Sequence, residues 1–270
     1  MENSKDPVQR FRFLAEQSNS KPQMGVHTFF VDGLLIDTGH SNAQKKVLKE
    51  LEELEIKQIV LTHHHEDHTG NLHALKQIKD CPVYAHQTCA RLMEYPPPVC
   101  FLERKIWGVN TAVQGILPVD KTIETERYKF HIVNTPGHSE DHICLYEANQ
   151  GWLFSGDLYV HHYIRYFVAT ESVTQQIESL KKVLKLDVQR FFCSHSFGED
   201  LFQERFRQKL QFLEDFHGNV VQLHQKGLSP AKIMKALQMK EQWMVRFLSG
   251  GWISGINMVH SAIRDAEVEV

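Results

Sequence analysis

Four times along this chain a short apolar run ends on a side chain that can bind a metal. QIVLT (58–62) leads into HHHEDH, YKFHIVNT (128–135) into PGHSEDH, GWLFSG (151–156) into Asp157, and RFFCS (190–194) into His195. Runs of this length, bounded by turn residues, read as buried strands. A strand end fixes the position of the first donor, and an irregular loop beyond it lets neighbouring side chains converge from different directions. One histidine at a strand end is more often structural than functional. Four ligand-bearing strand ends in one chain resist that explanation.

The intervening segments supply sheets and helices. VHTFFV (26–31) and LLID (34–37) read as two strands around Asp32-Gly33, a strong hairpin signal. AQKKVLKELEEL (43–54) has apolar residues at helical spacing behind a Ser41/Asn42 cap. Helices are expected from about Asn71 and over 87–93, with the strand PVYAH (82–86) between them. YPPP (95–98) ends the second helix, and the section to about Gln114 reads as an inserted helix or as a lid over a pocket. ILPV (116–119), 128–135, HICLYEA (142–148) and 151–156 read as strands, with Asn149-Gln150-Gly151 as a hairpin turn. SVTQQIESLKKVLKL (172–186) is an amphipathic helix capped by Ser172. Strands first in hairpins and then alternating with helices suggest sheets covered by helices, and two sheets in a four-layer sandwich fit that pattern. From about Gly198 the pattern turns helical, with Ser229 as a cap and Pro230 at the first helical position. The expected organisation is an α+β domain over 1–198 and a small helical domain over 199–270.

Charge excludes some partners. The formal charge of −3, from 30 basic and 33 acidic residues, gives no general attraction to nucleic acid or to an anionic membrane. Between Leu201 and Val270, nine Lys/Arg against seven Asp/Glu leave a balance of +2 (9 − 7), weak for a phosphate-binding footprint. The first residues, MENSKDPVQRFRF, hold no continuous apolar core of a leader, and no run approaches the roughly 18 apolar residues of a membrane span. A soluble, cytoplasmic protein is the expectation. Five cysteines without a CxxC pair argue for reduced, mostly buried thiols rather than a disulfide framework or a four-cysteine zinc site. Seventeen histidines, placed in clusters, make metal ligation the sharper question.

In THHHEDHTG (62–70), His63, His65, Asp67 and His68 form an HxHxDH arrangement. Imidazole nitrogen and carboxylate oxygen suit Zn, and also Fe or Mn; a polar loop is the competing reading of this segment alone. His64 and Glu66 alternate with these donors and are expected to point away, as supporting or solvent-facing residues. His142 is either a hydrogen-bonding support or a surface histidine. Tyr159, His161 and His162 are substrate contacts or polar packing, and Cys193 reads as core. SGGWISGINM (249–258) either reaches back to wall the site or connects helices with Trp252 as a packing anchor, while 96–98 and 101–107 would supply the opposite wall.

LIDTG with Asp37, THHHEDHTG, TPGHS, SGD and the His195 strand end, in that order over roughly 26–195, resemble the metallo-beta-lactamase-fold hydrolase superfamily. The resemblance implies a four-layer αββα sandwich. It implies one metal position on His63, His65 and His138, a second on Asp67, His68 and His195, and Asp157 bridging them. Asp67 and Asp37 are the carboxylates it ties to catalysis, Asp37 by orienting the ligand loop from outside. Two zinc ions are the implied cofactor, with Fe or Mn as alternatives. The implied reaction is cleavage of an ester, thioester, lactone or phosphoester of a small-molecule substrate by a hydroxide bridging the two ions, whose charge lowers its pKa. Asp157 rather than Cys at the bridge brings the chain nearer the glyoxalase II, lactonase and nuclease branches than true beta-lactamases, and His65 rather than Glu disfavours the diiron flavoproteins. Two other chemistries stay open. Persulfide dioxygenases share the ligand set but use a single iron. A nuclease-like enzyme is suggested by the C-terminal helical extension, which resembles the helical or winged-helix appendage of some members. No inserted nuclease domain separates SGD from His195, and the C-terminal segment shows no basic glutathione-binding cluster.

Overall fold

The first sheet grows from the Asp32-Gly33 turn. Val31 pairs with Leu34 across it. Both turn residues have positive φ, 49° and 84°, the left-handed conformation that a two-residue hairpin needs and that glycine adopts at no steric cost. The turn joins β2 (Gly25–Val31) to β3 (Leu34–Ile36). β1 (Gln9–Leu14) adds antiparallel to β2, while β4 (Gln58–Val60), β5 (Val83–Ala85) and β6 (Leu117–Pro118) follow in parallel beyond β3. The helices α1 (Gln44–Leu51), α2 (Glu66–Thr69), α3 (Leu72–Lys76), α4 (Gln87–Glu94) and α5 (Phe101–Ile106) lie between these parallel strands in the chain. The computed structural model describes residues 6–15 and 24–268, so the first five residues of the polar leader lie outside it.

The second sheet has the order β12-β10-β9-β8-β7. Its strands β7 (Thr122–Glu124), β8 (Lys129–Asn134), β9 (Ile143–Glu147) and β10 (Trp152–Gly156) run antiparallel in succession. The chain then passes through the short β11 (Phe167–Val168) and α6 (Val173–Val183) and returns as β12 (Arg190–Cys193), parallel to β10. Beyond it come α7 (Phe202–Gln225), α8 (Pro230–Ala236), α9 (Trp243–Leu248), β13 (Ile253–Ser254), which pairs with β11, and α10 (Gly255–Val268).

Three apolar clusters hold the layers together. Phe29, Ile36 and Val60 of the first sheet meet Phe130, Leu145, Phe154 and Phe192 of the second. Phe154 and Phe192 stack at 4.6 Å, and Phe29 stands edge-on to both at 5.5 and 5.6 Å. On the outer face of the first sheet, Val47, Leu51, Leu72, Leu75, Cys89 and Met93 pack from α1, α3 and α4. On the outer face of the second, Ile177 and Leu180 of α6 join Phe206 and Leu213 of α7 and Val259 of α10. With both faces of each sheet covered, inner strands such as β3 and β10 are buried along their whole length rather than at alternate residues. Helices, sheet, sheet and helices thus stack as the αββα sandwich, with the C-terminal helices forming part of the outermost layer.

The structure departs from expectation at several element ends. Ser41 and Asn42 lie in a 3-10 turn and do not cap α1. Asn42 Nδ2 donates instead to the carbonyls of Arg104, Lys105 and Ile106 at 3.4, 3.0 and 3.1 Å, closing the end of α5. Of the two alternatives for the section after the prolines, an inserted helix is present. α5 starts with a capping box in which Cys100 and Glu103 satisfy each other's backbone N–H. β1 and β7 fall where the sequence reading places no strand, although Phe11 and Phe13 alternate there with Arg10 and Arg12. Ser172 caps α6 as expected, accepting from the Gln175 N–H at 3.2 Å. Ser229 occupies the cap position of α8 and Pro230 its first turn, but the serine hydroxyl makes no capping bond. All five cysteines are free, with Cys89, Cys144 and Cys193 buried. No helix among the described residues is long and apolar enough to cross a membrane.

Candidate metal centre

Five strand ends deliver the site. β3 ends at Asp37, β4 runs into Thr62 and His63, β8 leads to the loop with His138, β10 ends beside Asp157, and β12 leads to His195. β3 and β4 are parallel neighbours, as are β10 and β12, so each pair opens its C-terminal ends side by side. In sheets covered by helices that edge is where irregular loops gather side chains.

Hydrogen bonds at the ring nitrogens decide which way the imidazoles can act. His63 Nδ1 lies 3.0 Å from Thr62 Oγ1, whose hydroxyl donates to Asp37 Oδ2 at 2.8 Å. His68 Nδ1 lies 2.8 Å from the same Asp37 oxygen. His138 Nδ1 is 3.3 Å from Glu171 Oε2, and His195 Nδ1 is 3.0 Å from the Gly25 carbonyl. Each Nδ1 faces an acceptor and so carries the proton, leaving Nε2 with a free lone pair. Asp37 anchors two of these rings and also accepts the Thr62 N–H at 2.8 Å. It holds φ at 60°, an uncommon conformation for a non-glycine residue.

The freed nitrogens converge. His63 Nε2 and His138 Nε2 lie 3.1 and 3.0 Å from His65 Nδ1. A second group comprises Asp67, His68, Asp157 and His195, and within each group the donor atoms lie within 4.8 Å of one another. His195 Nε2 is 3.1 Å from Asp67 Oδ2 and 3.2 Å from Asp157 Oδ2. Asp157 faces both groups, with Oδ2 3.6 Å from His138 Nε2 and Oδ1 3.4 Å from His68 Nε2. Lone pairs aimed at lone pairs and carboxylates repel unless positive charge, a proton or a metal cation, lies between them. His68 Nε2 and Asp157 Oδ1 are buried without a hydrogen-bond partner, a condition that calls for a ligand. The nitrogen separations approach the edge of about 3.3 Å in a tetrahedron of metal–nitrogen bonds of about 2.0–2.1 Å. The donors therefore fit two cations of the kind that bind nitrogen and oxygen.

The metallo-beta-lactamase superfamily profile matches residues 24–195, more than half of the chain. The chain belongs to this superfamily. Hydroxyacylglutathione hydrolases of Bdellovibrio bacteriovorus and Legionella pneumophila are similar to it, at 33% identity over 146 residues and 32% over 149. These stretches cover 53% and 54% of this chain and 51% and 50% of the relatives, so the chain spans about half the length of the hydrolases it matches. The Drosophila melanogaster beta-lactamase-like protein 2 homolog is 29% identical over 199 residues, covering 68% of this chain and 63% of that one. Among solved structures, a metallo-beta-lactamase family protein from Thermus thermophilus superposes with a TM-score of 0.66 at 18% identity, covering 80% of this chain and 82% of its own. A beta-lactamase domain protein from Burkholderia ambifaria also reaches 0.66 at 16% identity, over 95% of this chain and 85% of its own. At these identities the structural likeness speaks for the fold.

Charge is distributed unevenly across the candidate centre. Burial, reinforced by neighbouring imidazoles, holds His63 and His65 well below the usual histidine value, so both are neutral. Burial pulls His68 and His195 the same way but is outweighed by carboxylates, Asp67 and Asp157 foremost, and both end well above that value. For Asp157, burial works against ionisation and is outweighed by His195 and His68, which drive it well below the usual carboxylate range. Without metal, the raised imidazoles contribute stability that is complete below about pH 6.5 and is lost as pH rises through their folded values. As pH rises above about 6.5, EDTA-treated protein is expected to lose urea resistance, a loss that metal-loaded protein, whose ligating Nε2 atoms carry no proton to lose, does not share.

Supporting residues complete the site. Of the two alternatives for His142, the supporting one holds. It is buried, its Nδ1 lies 2.8 Å from Thr135 Oγ1, and its Nε2 accepts the Asp157 N–H at 3.0 Å. Burial and His138 lower its pKa to about 3, so it stays neutral and able to accept. Gly156 has φ +46°, and a Cβ there would lie 2.6 Å from His142 Nε2. Gly156→Ala is expected to cost about 2–4 kcal/mol from strain and overpacking, and to lower metal content by displacing Asp157; thermal melts and metal analysis check both.

His64 supports through Asp141, which accepts its backbone N–H at 2.8 Å and lies 2.9 Å from its Nδ1. Glu66 is buried rather than solvent-facing, and burial with Asp67 beside it pushes its carboxyl well above the usual range. Tyr159 is packing, buried and stacked on Phe206 at 5.3 Å, whereas His161 and His162 are exposed side by side. Cys193 is core, as expected. Trp107 walls the site, 5.9 Å from the His195 ring and 5.2 Å from that of His40. Trp252 is 38% exposed and so is no buried anchor, and α9 lies against α5. Asp141 and Glu171 escape sequence reasoning. Asp141 stands inside TPGHSEDH without a distinguishing mark, and Glu171 precedes a helix cap with no local signature. Lys209 is likewise unheralded: it is buried on α7 and donates to the Leu158 carbonyl at 2.7 Å.

Proposed function

We propose that this chain is a metal-dependent hydrolase that holds two zinc ions and cleaves an ester, thioester, lactone or phosphoester bond in a small molecule. His63, His65 and His138 would hold one ion, Asp67, His68 and His195 the other, and Asp157 would reach both. The carrying observation is the set of four Nε2 lone pairs turned inward by their Nδ1 anchors, with Asp157 between the two groups. Bound there, two such ions would supply Lewis acidity toward the scissile bond and a water acidic enough to ionise near neutral pH.

The residues around them position and exclude. Asp37 fixes the proton on Nδ1 of His68 and, through Thr62, of His63, so that both present Nε2. His142 holds the backbone of Asp157. Trp107 covers one side of the centre and keeps bulk water from it. Residues 1–198 would carry the chemistry, while 199–270 would buttress it and help to wall the substrate. The relatives named hydroxyacylglutathione hydrolase make acyl thioesters the first substrates to try. The contact of His195 with both Asp67 and Asp157 supports two ions over a single iron. Five free cysteines suit a cytoplasmic setting.

Metal analysis of purified protein should find two zinc per chain. A panel of thioester, lactone, phosphodiester and persulfide substrates, with His65→Ala as the control, should show hydrolysis that the substitution abolishes. One iron with oxygen uptake on a persulfide would replace the proposal with dioxygenation.

A further inference from the structure

Two donors of the first group, His63 and His138, are not anchored alike. His63 is tied through Thr62 and Asp37, all within the first sheet's strand ends. His138 is tied to Glu171, in the segment between β11 and α6. The Glu171 carboxylate cannot turn freely, because Oε1 accepts the Val168 N–H at 2.8 Å and Oε2 accepts from Gln176 Nε2 at 2.8 Å. The segment itself is gripped by α10. Arg264 Nη2 donates to the Glu171 carbonyl at 2.8 Å, and the Val173 N–H donates to Ser261 Oγ at 3.0 Å. Asp265 Oδ2 accepts from Ser172 Oγ at 2.7 Å and from the Thr174 N–H and Oγ1 at 3.1 Å each. Ser261, Arg264 and Asp265 stand at i, i+3 and i+4, one face of the helix.

We infer that Glu171 is a positioning residue for the metal position on His63, His65 and His138, and that the C-terminal helix α10 sets the affinity of that position through it. The inference rests on the two-ion reading above. Its chemistry is a choice of tautomer. A carboxylate at Glu171 can only accept, so His138 keeps its proton on Nδ1 and offers Nε2. Glu171→Gln keeps the shape; the Val168 backbone N–H cannot turn and holds the amide oxygen, the Gln176 amide can rotate to offer its own oxygen, and the new NH2 then faces His138 Nδ1. That donor favours the ring with its proton on Nε2, the form that cannot ligate. An interaction so placed is worth about 10–100-fold in metal affinity.

The test is zinc affinity of the full-length protein, measured by competition with a chromophoric chelator, with thermal melts of the metal-free protein alongside. Wild type should bind two zinc ions, and Glu171→Gln should weaken one of them about 10–100-fold and leave the other unchanged. Asp265→Ala should weaken the same ion by a smaller factor, and the double variant should be no weaker than Glu171→Gln alone. Lower melting temperatures with both zinc affinities unchanged, in either variant, would mean that the segment serves folding only, and would overturn the inference. A wild type that binds no zinc overturns the two-ion reading and the inference with it, an outcome distinct from two ions held equally well by wild type and Glu171→Gln.

Discussion

Asp157→Ala is expected to lower kcat/KM by on the order of 10³-fold or more, about 4 kcal/mol of transition-state stabilisation, and to leave the protein folded. The size follows from its place: among the described residues, no other carboxylate lies within 4 Å of imidazole nitrogens from both groups, 3.2 Å from His195 Nε2 and 3.6 Å from His138 Nε2. On the proposed two-ion reading, its removal strips a ligand from two positions at once and leaves His68 and His195 with Asp67 alone between them. Zinc content should drop below two per chain. A second reading comes from linkage, since a ligand at 1,000 times its Kd stabilises the native state by about 4 kcal/mol. EDTA should therefore lower the melting temperature of wild type markedly and that of Asp157→Ala little. Full zinc content and wild-type turnover in this variant would remove the basis for a two-ion hydrolase.

A chain cut after residue 198 is expected to be insoluble or to lack cooperative unfolding. The outer face of the second sheet depends on α7, where Phe206 stacks on Tyr159 at 5.3 Å and meets Phe191 edge-on at 5.3 Å. Replacing Phe206 by Ala alone should cost about 3–5 kcal/mol, against a total stability of about 5–15 kcal/mol for an ordinary domain. The cut removes that ring together with Phe202, Leu213, Val220 and Val259, all buried in the same cluster as Leu180 and Phe191. It also takes away Lys209, whose bond to the Leu158 carbonyl steadies the chain just after Asp157. Urea titration of Phe206→Ala and a solubility assay of the fragment check this pair. A soluble, zinc-binding fragment would show that the proposed catalytic unit is also an autonomous one.

The donors were easier to read from sequence than the frame that aims them. The candidate donors His63, His65, Asp67, His68, His138, Asp157 and His195 stand out as a set, because four apolar strands each lead into such residues, although one alone would read as structural. The hairpin at Asp32-Gly33 is equally plain, since two-residue turns have a narrow vocabulary. What stays hidden is partnership over distance. Glu171 meets His138 across 33 positions and Asp141 meets His64 across 77, and neither leaves a periodic trace. Polar residues whose partners are distant can also desert local roles. Ser41 and Asn42 sit where a helix cap belongs, yet Asn42 serves α5 more than sixty positions on. Strand β1 is masked for a different reason: its arginines make a half-buried edge strand resemble a charged tail.

The aromatic layer between the sheets, built on Phe29, Phe130, Phe154 and Phe192, contains none of the seven candidate donors. Core and candidate centre are therefore written in different side chains of the same strands, the core along their length and the donors at their ends. A loop can exchange a donor or lengthen toward a new substrate while the sandwich keeps its shape, and a core can be retuned for temperature while the strand ends keep their donors. Such a chain is a scaffold on which a lineage can try new reactions at small structural risk.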